Sequence, residues 1–203
     1  MDKQTENAIK FIFVCCCFTV SLVSYGFCFS KRDCKFLIAG MAFTVVSDFF
    51  LVLRDTDLTG FYLFSLAHIA YALRVSKNYK LNFYLIIGTL ACAVPAYIFL
   101  DGVVATAFTY SCFLIENVFA SAYHYRKDVD CPKINRTLIL FGVVLFFLCD
   151  ANVLLFNLPK YAAVPRAVSE AAYPGIWVCY LSSQAVLAVS GFCFKRRTRP
   201  EGG

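Results

Sequence analysis

Asp48 and Asp150 are the residues whose type and placement promise chemistry. The first lies within FLIAGMAFTVVSDFFLVL (36–53), the second within TLILFGVVLFFLCDANVLLF (137–156), and both runs otherwise suit lipid. A carboxylate at such depth costs at least ~2.5–3.5 kcal/mol on insertion scales, so it faces a bundle interior or a wet cavity. Two carboxyls at similar depth point to paired acid–base chemistry or to a polar transport path.

The elements that must position them follow from composition. The chain has 203 residues, 60% hydrophobic and 16% charged, against about 25% charged in soluble domains. An all-α polytopic membrane bundle in one domain is therefore expected. Segments 8–29, 36–53, 60–76, 81–99, 103–125, 137–156 and 176–194 each approach the ~20 residues that cross a bilayer. The first is too long for a signal-peptide core and is expected to stay as a helix. With seven crossings, five Lys and Arg fall on the side of the N-terminus and fourteen on the other. The positive-inside rule then predicts an external N-terminus and a cytoplasmic C-terminus.

Depth follows from the rise of ~1.5 Å per helical residue. Asp48 and Asp150 are expected roughly 8–9 Å below the outer hydrocarbon boundary, and His68 and Gln184 roughly 12–14 Å below it. Glu116 and its neighbour Asn117 fall deeper. His68 and Tyr71 are i, i+3, and Tyr180 and Gln184 are i, i+4, so each pair shares a helix face. These groups describe one cavity reached from the outer half of the membrane. The bland alternative is hydrogen bonding across helix interfaces, worth about 0.6 kcal/mol on average. It suits Ser47, Asn152, Ser183 and Gln184 as well as a functional role does, and suits the two aspartates least.

The flanks FTVVSDFFLVL and LFFLCDANVLLF look alike. A duplication relating helices 1–3 to 5–7 around a central fourth would give the 3+1+3 plan of small solute carriers. No Gly- or Pro-broken helix pair accompanies it. The eleven cysteines are scattered without a C-x-x-C pair. Only Cys34 and Cys131 are expected in loops, both cytoplasmic and reduced. Neither a metal nor any other cofactor is expected. Basic residues cluster at helix ends, so no nucleic-acid partner is expected.

Three stretches resemble a known family. SDFFLVLRDTDLTGFYLFSLAHIAY, FGVVLFFLCDANVLLFNL and WVCYLSSQAVLAVSG are similar, in order and spacing, to the GD…L/AHxxY motif, the GA-x-LF-x-x-SD motif and the Y-x-x-x-Q helix of YhhN-type membrane proteins, the lysoplasmalogenases. Ser47 stands for the usual Gly and Cys149 for the usual Ser. The family commonly has eight helices, so an eighth is the alternative to seven.

The resemblance implies hydrolysis of the vinyl ether of a lysoplasmalogen, giving a fatty aldehyde and a glycerophospho-alcohol, in a bacterial plasma membrane or an endoplasmic reticulum. The residues suit that chemistry independently. Vinyl ether cleavage needs a protonated acid, a carboxylate beside the oxocarbenium ion and a base for water, much as glycosidases use two carboxyls. Asp48 and Asp150 are expected to divide these roles. His68, Tyr71, Glu116, Asn117, Tyr180 and Gln184 are expected to orient water or hold the lysophospholipid. The runner-up is a small-solute or proton-coupled transporter.

Overall fold

Buried residues recur at alternating spacings of three and four along every inward face. The sets are Val14, Cys17, Ser21, Ser24; Leu37, Met41, Thr44, Asp48; Phe64, His68, Tyr71, Val75; Tyr110, Leu114, Asn117, Ser121, His124; Ile139, Val143, Phe146; and Tyr180, Gln184, Leu187. That spacing puts each set on one stripe of an α-helix. The outer faces are apolar, with Ile12, Leu90, Phe99, Phe119 and Val178 all exposed. A polar-lined interior and an apolar exterior suit lipid as the surrounding solvent.

The computed structural model describes residues 2–54, 57–76, 79–128, 130–160, 162–163 and 165–194. Its regular structure is entirely helical among these residues. The helices are α1 (Lys3–Ser24), α2 (Lys31–Asp48), α3 (Asp57–Val75), α4 (Tyr79–Phe99), α5 (Gly102–Lys127), α6 (Lys133–Asn157) and α7 (Arg166–Val189). A π-helical turn, Phe49–Leu53, continues α2 directly, and a short 3-10 turn, Leu158–Lys160, ends α6. Six of the helices are long and apolar enough to cross a membrane, while α4 contributes a shorter apolar stretch, Tyr84–Phe99. The protein is a multi-pass membrane protein. Seven helices are found, and no eighth appears among the described residues.

Packing runs α1 on α2, α2 on α3, α3 on α5, α5 on α6, α6 on α7, and α7 back on α1. Six helices thus close a ring, and α4 lies outside it against α3 and α5. Close approach depends on small residues. A Cβ on Gly40 would run into the Tyr71 ring, and one on Gly142 would stand 2.8 Å from Leu187.

Helix boundaries differ from the sequence expectation, most at the two ends. The first helix ends at Ser24 rather than 29, because Tyr25, Gly26 and Phe27 bond back three residues to Leu22, Val23 and Ser24 and tighten the last turn. The last helix starts at Arg166 rather than 176, running through Pro174 without stopping. It ends at Val189 rather than 194, because the Asn135 amide donates to the Ser190 and Phe192 carbonyls and takes them out of helical pairing. The others start a few residues earlier than expected. In α2 this adds the charged turn KRDCK, with Ser30 as N-cap accepting from the Asp33 amide. An acidic residue there also complements the helix dipole.

These shifts correct the placement of the cysteines. Cys34 is buried inside the first turn of α2, whereas Cys28 and Cys193 join Cys131 outside the helices. His124, near the end of α5, is buried, with Nδ1 3.2 Å from Asp128.

The end of the ring holding the α3 and α7 C-termini is locked by a buried cation. Arg74 pairs bidentately with Asp33, Nε to Oδ1 at 2.9 Å and Nη2 to Oδ2 at 3.0 Å. It also donates to the Ser190 hydroxyl at 2.9 Å and to the Ser190 carbonyl at 3.2 Å. One guanidinium therefore fixes α2, α3 and the end of α7, leaving the opposite half of the ring to hold the aspartates.

Candidate functional site

Asp48 is the last residue of α2, where the α-helix passes into the π turn Phe49–Leu53. Arg54 N bonds to Phe49 O at 3.2 Å, the five-residue step that marks such a turn. Single π turns are rare and concentrate at functional positions. Asn7 of α1 donates to the Val52 carbonyl at 3.1 Å, and Ser47 donates to the Gly60 carbonyl of α3 at 2.7 Å. The backbone on both sides of Asp48 is thereby anchored to neighbouring helices. Ser47 serves a helix interface, as does Ser183, which donates to the Gly142 carbonyl at 2.7 Å.

Asp48 is 3% exposed, and its Oδ2 accepts a hydrogen bond from the Tyr180 hydroxyl of α7 at 2.5 Å. Asp150, on α6 and partly exposed, accepts one from the Tyr110 hydroxyl of α5. The two aspartates thus address one region of the ring from opposite walls, each through a tyrosine.

Between the tyrosines lies an aromatic cluster. Phe64 of α3 contacts Tyr110 and Tyr180 with ring centroids 6.0 and 6.3 Å apart, and Phe146 of α6 lies 5.7 Å from Tyr180. His68 sits 5.3 Å from Tyr110 and 4.8 Å from Phe146. The Asn117 amide donates to His68 Nδ1 at 3.3 Å, which places the imidazole proton on Nε2. His68 Nε2, Asn117 Oδ1, Ser121 Oγ and both amide atoms of Gln184 are buried without a hydrogen-bond partner. Buried polar atoms are nearly always paired, so five such atoms in one bundle interior mark a place built for a polar guest.

The expected site residues fall into three groups. Asp48, Asp150, His68, Asn117 and Tyr180 are joined through direct bonds and ring contacts, and Gln184 lies one turn along from Tyr180. Tyr71 packs its ring against Gly40 and edges His68 at 6.3 Å, with its hydroxyl 3.5 Å from the Thr44 hydroxyl. It borders the site as a wall. Glu116 turns outward, bonding the Thr89 hydroxyl of α4. It meets the site only through a cavity of about 20 Å³ between α3, α4 and α5, whose polar lining is His68 and Glu116. That volume holds a single water molecule.

Sequence reasoning missed Tyr110, Phe64, Phe146 and Trp177. Tyr110 was within reach, since it lies one heptad before Asn117 and so shares its face. Phe64 stands four residues before His68 in the same way. The aromatic types themselves carried no distinguishing signal in a chain with 22 Phe and 12 Tyr.

Two carboxyls are thus linked through two tyrosine hydroxyls and an aromatic cluster, and a cavity with room for one water lies beside His68. Among the described residues no His, Cys, Asp or Glu group is arranged to hold a metal ion. No curated protein and no solved structure matches the chain. One family model does, described as the YhhN family, and it matches residues 7–191, from the first helix to the end of the last. That span contains both aspartate–tyrosine pairs and the whole ring, and the chain belongs to the YhhN family.

Proposed function

We propose that this protein is a membrane-embedded hydrolase that cleaves the vinyl ether bond of lysoplasmalogens. The observation that carries the reading is the pair of aspartates, each bonded by a tyrosine hydroxyl, the two tyrosines meeting in one aromatic cluster on Phe64. Family membership is consistent with it.

The chemistry distributes over the chamber as follows. One aspartic acid gives its proton to the alkene carbon remote from the ether oxygen. Positive charge then develops on the carbon–oxygen unit, and the second aspartate, ionised, lies across from it and stabilises it. Water adds to that carbon, its proton passing to a carboxylate, and the hemiacetal collapses to aldehyde and glycerol hydroxyl. Proton transfer by a positioned side chain contributes typically 10²–10⁴-fold. His68, lining the single-water cavity, is the residue best placed to orient that water. Phe64 and Phe146 present apolar walls for the alkenyl chain, and Gln184 offers an amide with both atoms free to the glycerol hydroxyls. The charge asymmetry of the loops supports an aspartate end facing the outer leaflet.

A carrier reading draws on one observation, the position of α4 outside a ring of six, which is the place of the linker helix in a 3+1+3 plan. The test separates the two. Purified protein in detergent is given lysoplasmenylethanolamine, with Asp48→Asn and Asp150→Asn as matched controls. Aldehyde from the wild type and at least a hundredfold less from either folded variant is expected. A wild type that releases no aldehyde, or an Asp150→Asn protein of full activity, sinks the hydrolase.

A further inference from the structure

Lys10 lies well inside the apolar span of α1, yet it is only 8% exposed. Its ammonium rests 3.6 Å from the Trp177 ring centroid and 5.4 Å from that of Tyr173, both on α7. It is bonded to the Glu6 carboxylate one turn back on α1, and the Tyr173 hydroxyl donates to Glu6 Oε1 at 3.1 Å. Two aromatic faces and a carboxylate around an ammonium form the arrangement that recognises amine headgroups. Here the chain's own lysine fills it.

Two further observations give the cluster a ligand and a purpose. The Trp177 indole nitrogen is buried without a hydrogen-bond partner, a free donor beside the lysine. Trp177 also packs edge-on against Tyr180 at 6.2 Å, and Tyr180 holds Asp48. The cluster therefore adjoins the acid pair. It is open to a lipid headgroup, since Tyr173 is 39% exposed and the Glu6 side chain 31% exposed.

We propose that the seam of Glu6, Lys10, Tyr173 and Trp177 is a headgroup-binding site for a zwitterionic lysophospholipid, the inference resting on the lipid-hydrolase reading above. The internal pair opens on binding. The phosphate takes the Lys10 ammonium and the Trp177 N–H, while the lipid's ammonium takes the Glu6 carboxylate and the aromatic faces. Each internal charge exchanges one opposite partner for another, so no charge is left unpaired in a low-dielectric seam. An anionic headgroup without an amine leaves Glu6 beside the phosphate, and a monoacylglycerol satisfies neither charge. The site selects for the zwitterion.

Trp177 is the sole tryptophan of the chain, so its emission reports the site without any turnover. The protein in nanodiscs is titrated with ester-linked lysophosphatidylethanolamine, which has no vinyl ether, and separately with lysophosphatidate and monoacylglycerol. A saturable change with the zwitterion, at least tenfold weaker with the other two, is expected. Glu6→Gln and Lys10→Met each weaken it tenfold or more, and Lys10→Arg retains it. Three lipids that titrate alike, a flat response to all, or an unchanged Glu6→Gln protein overturns the assignment. Aldehyde release is measured on the same samples. Its absence with selective binding condemns the hydrolase alone, and its presence with unselective binding condemns the headgroup site alone.

Discussion

Tyr180 donates its hydroxyl proton to Asp48 across 2.5 Å, joining positions 132 residues apart. Their helices, α7 and α2, are separated in the ring by α1. The two helices also touch directly, and the bond brings the start of the π turn into register with the aromatic cluster. Asp150 and Tyr110, by contrast, sit on adjacent helices.

Removing the two hydroxyls is expected to have unequal effects. Tyr180→Phe leaves a nearly inaccessible carboxyl without its donor, which costs about 1–3 kcal/mol and lowers aldehyde release at least tenfold. Tyr110→Phe leaves a carboxyl that is less enclosed than Asp48, so its stability cost is smaller while the loss of activity is similar. Thermal melts of both variants beside their rates decide it. Equal melts with a large difference in rate would contradict the assignment.

Breaking the buried Arg74–Asp33 pair at the opposite end is expected to be severe. Arg74→Gln or Asp33→Asn strands a charge among buried groups, a loss of about 3–5 kcal/mol. The double replacement Arg74→Met with Asp33→Leu removes both charges and costs less than either single change. A melt series of the three proteins tests this. A double variant worse than both singles would mean that the Ser190 contacts, not the ion pair, carry the lock.

Much of this architecture was legible because alternating three- and four-residue spacing is strong in every inward stripe, and because an aspartate in an apolar run is too costly to stand there without a polar interior to face. The seven helices were legible from seven apolar runs of near-bilayer length, and Asp48, His68 and Asn117 are buried as polar groups in such runs must be. The boundary of α7 was not legible, since the expected span began at 176 whereas the helix starts ten residues earlier and runs through Pro174. The π turn after Asp48 was invisible, as nothing in FFLVL distinguishes five-residue from four-residue bonding. The direction in which Glu116 faces was hidden for a related reason. Depth places a residue along the axis but not around it, and Glu116 stands one position before the inward Asn117, facing Thr89 instead.

Glycine contacts give a paired test of the ring. Gly40→Ala pushes a methyl into the Tyr71 ring and Gly142→Ala pushes one onto Leu187. Overpacking of this kind costs typically 1–3 kcal/mol. Gly88→Ala on the outer helix α4 meets nothing within 4 Å. It is expected to be neutral or stabilising by up to about 1 kcal/mol. Melting temperatures of the three variants check the ranking, and a destabilised Gly88→Ala protein would mean that another chain covers this face of α4.

Cys131, between α5 and α6, gives a pH signature. Burial pushes its thiol up to about 12, with the Asp33 and Asp128 carboxylates adding to the rise. The unfolded thiol ionises near ~8.5. Below that value both states are protonated and the group's contribution does not vary. Above it the unfolded chain releases a proton that the folded one keeps, so stability falls as pH rises through the range from about 8.5 to 12. The same rise starves the thiolate, the species that alkylating agents attack. In the folded protein at pH 8, Cys131 is expected to label at least a hundredfold more slowly than in urea, read by peptide mass spectrometry. Cys193, exposed beyond the end of α7, is the internal standard. Native Cys131 labelling at the Cys193 rate would mean that the α5–α6 connection opens far more readily than its 1% exposure indicates.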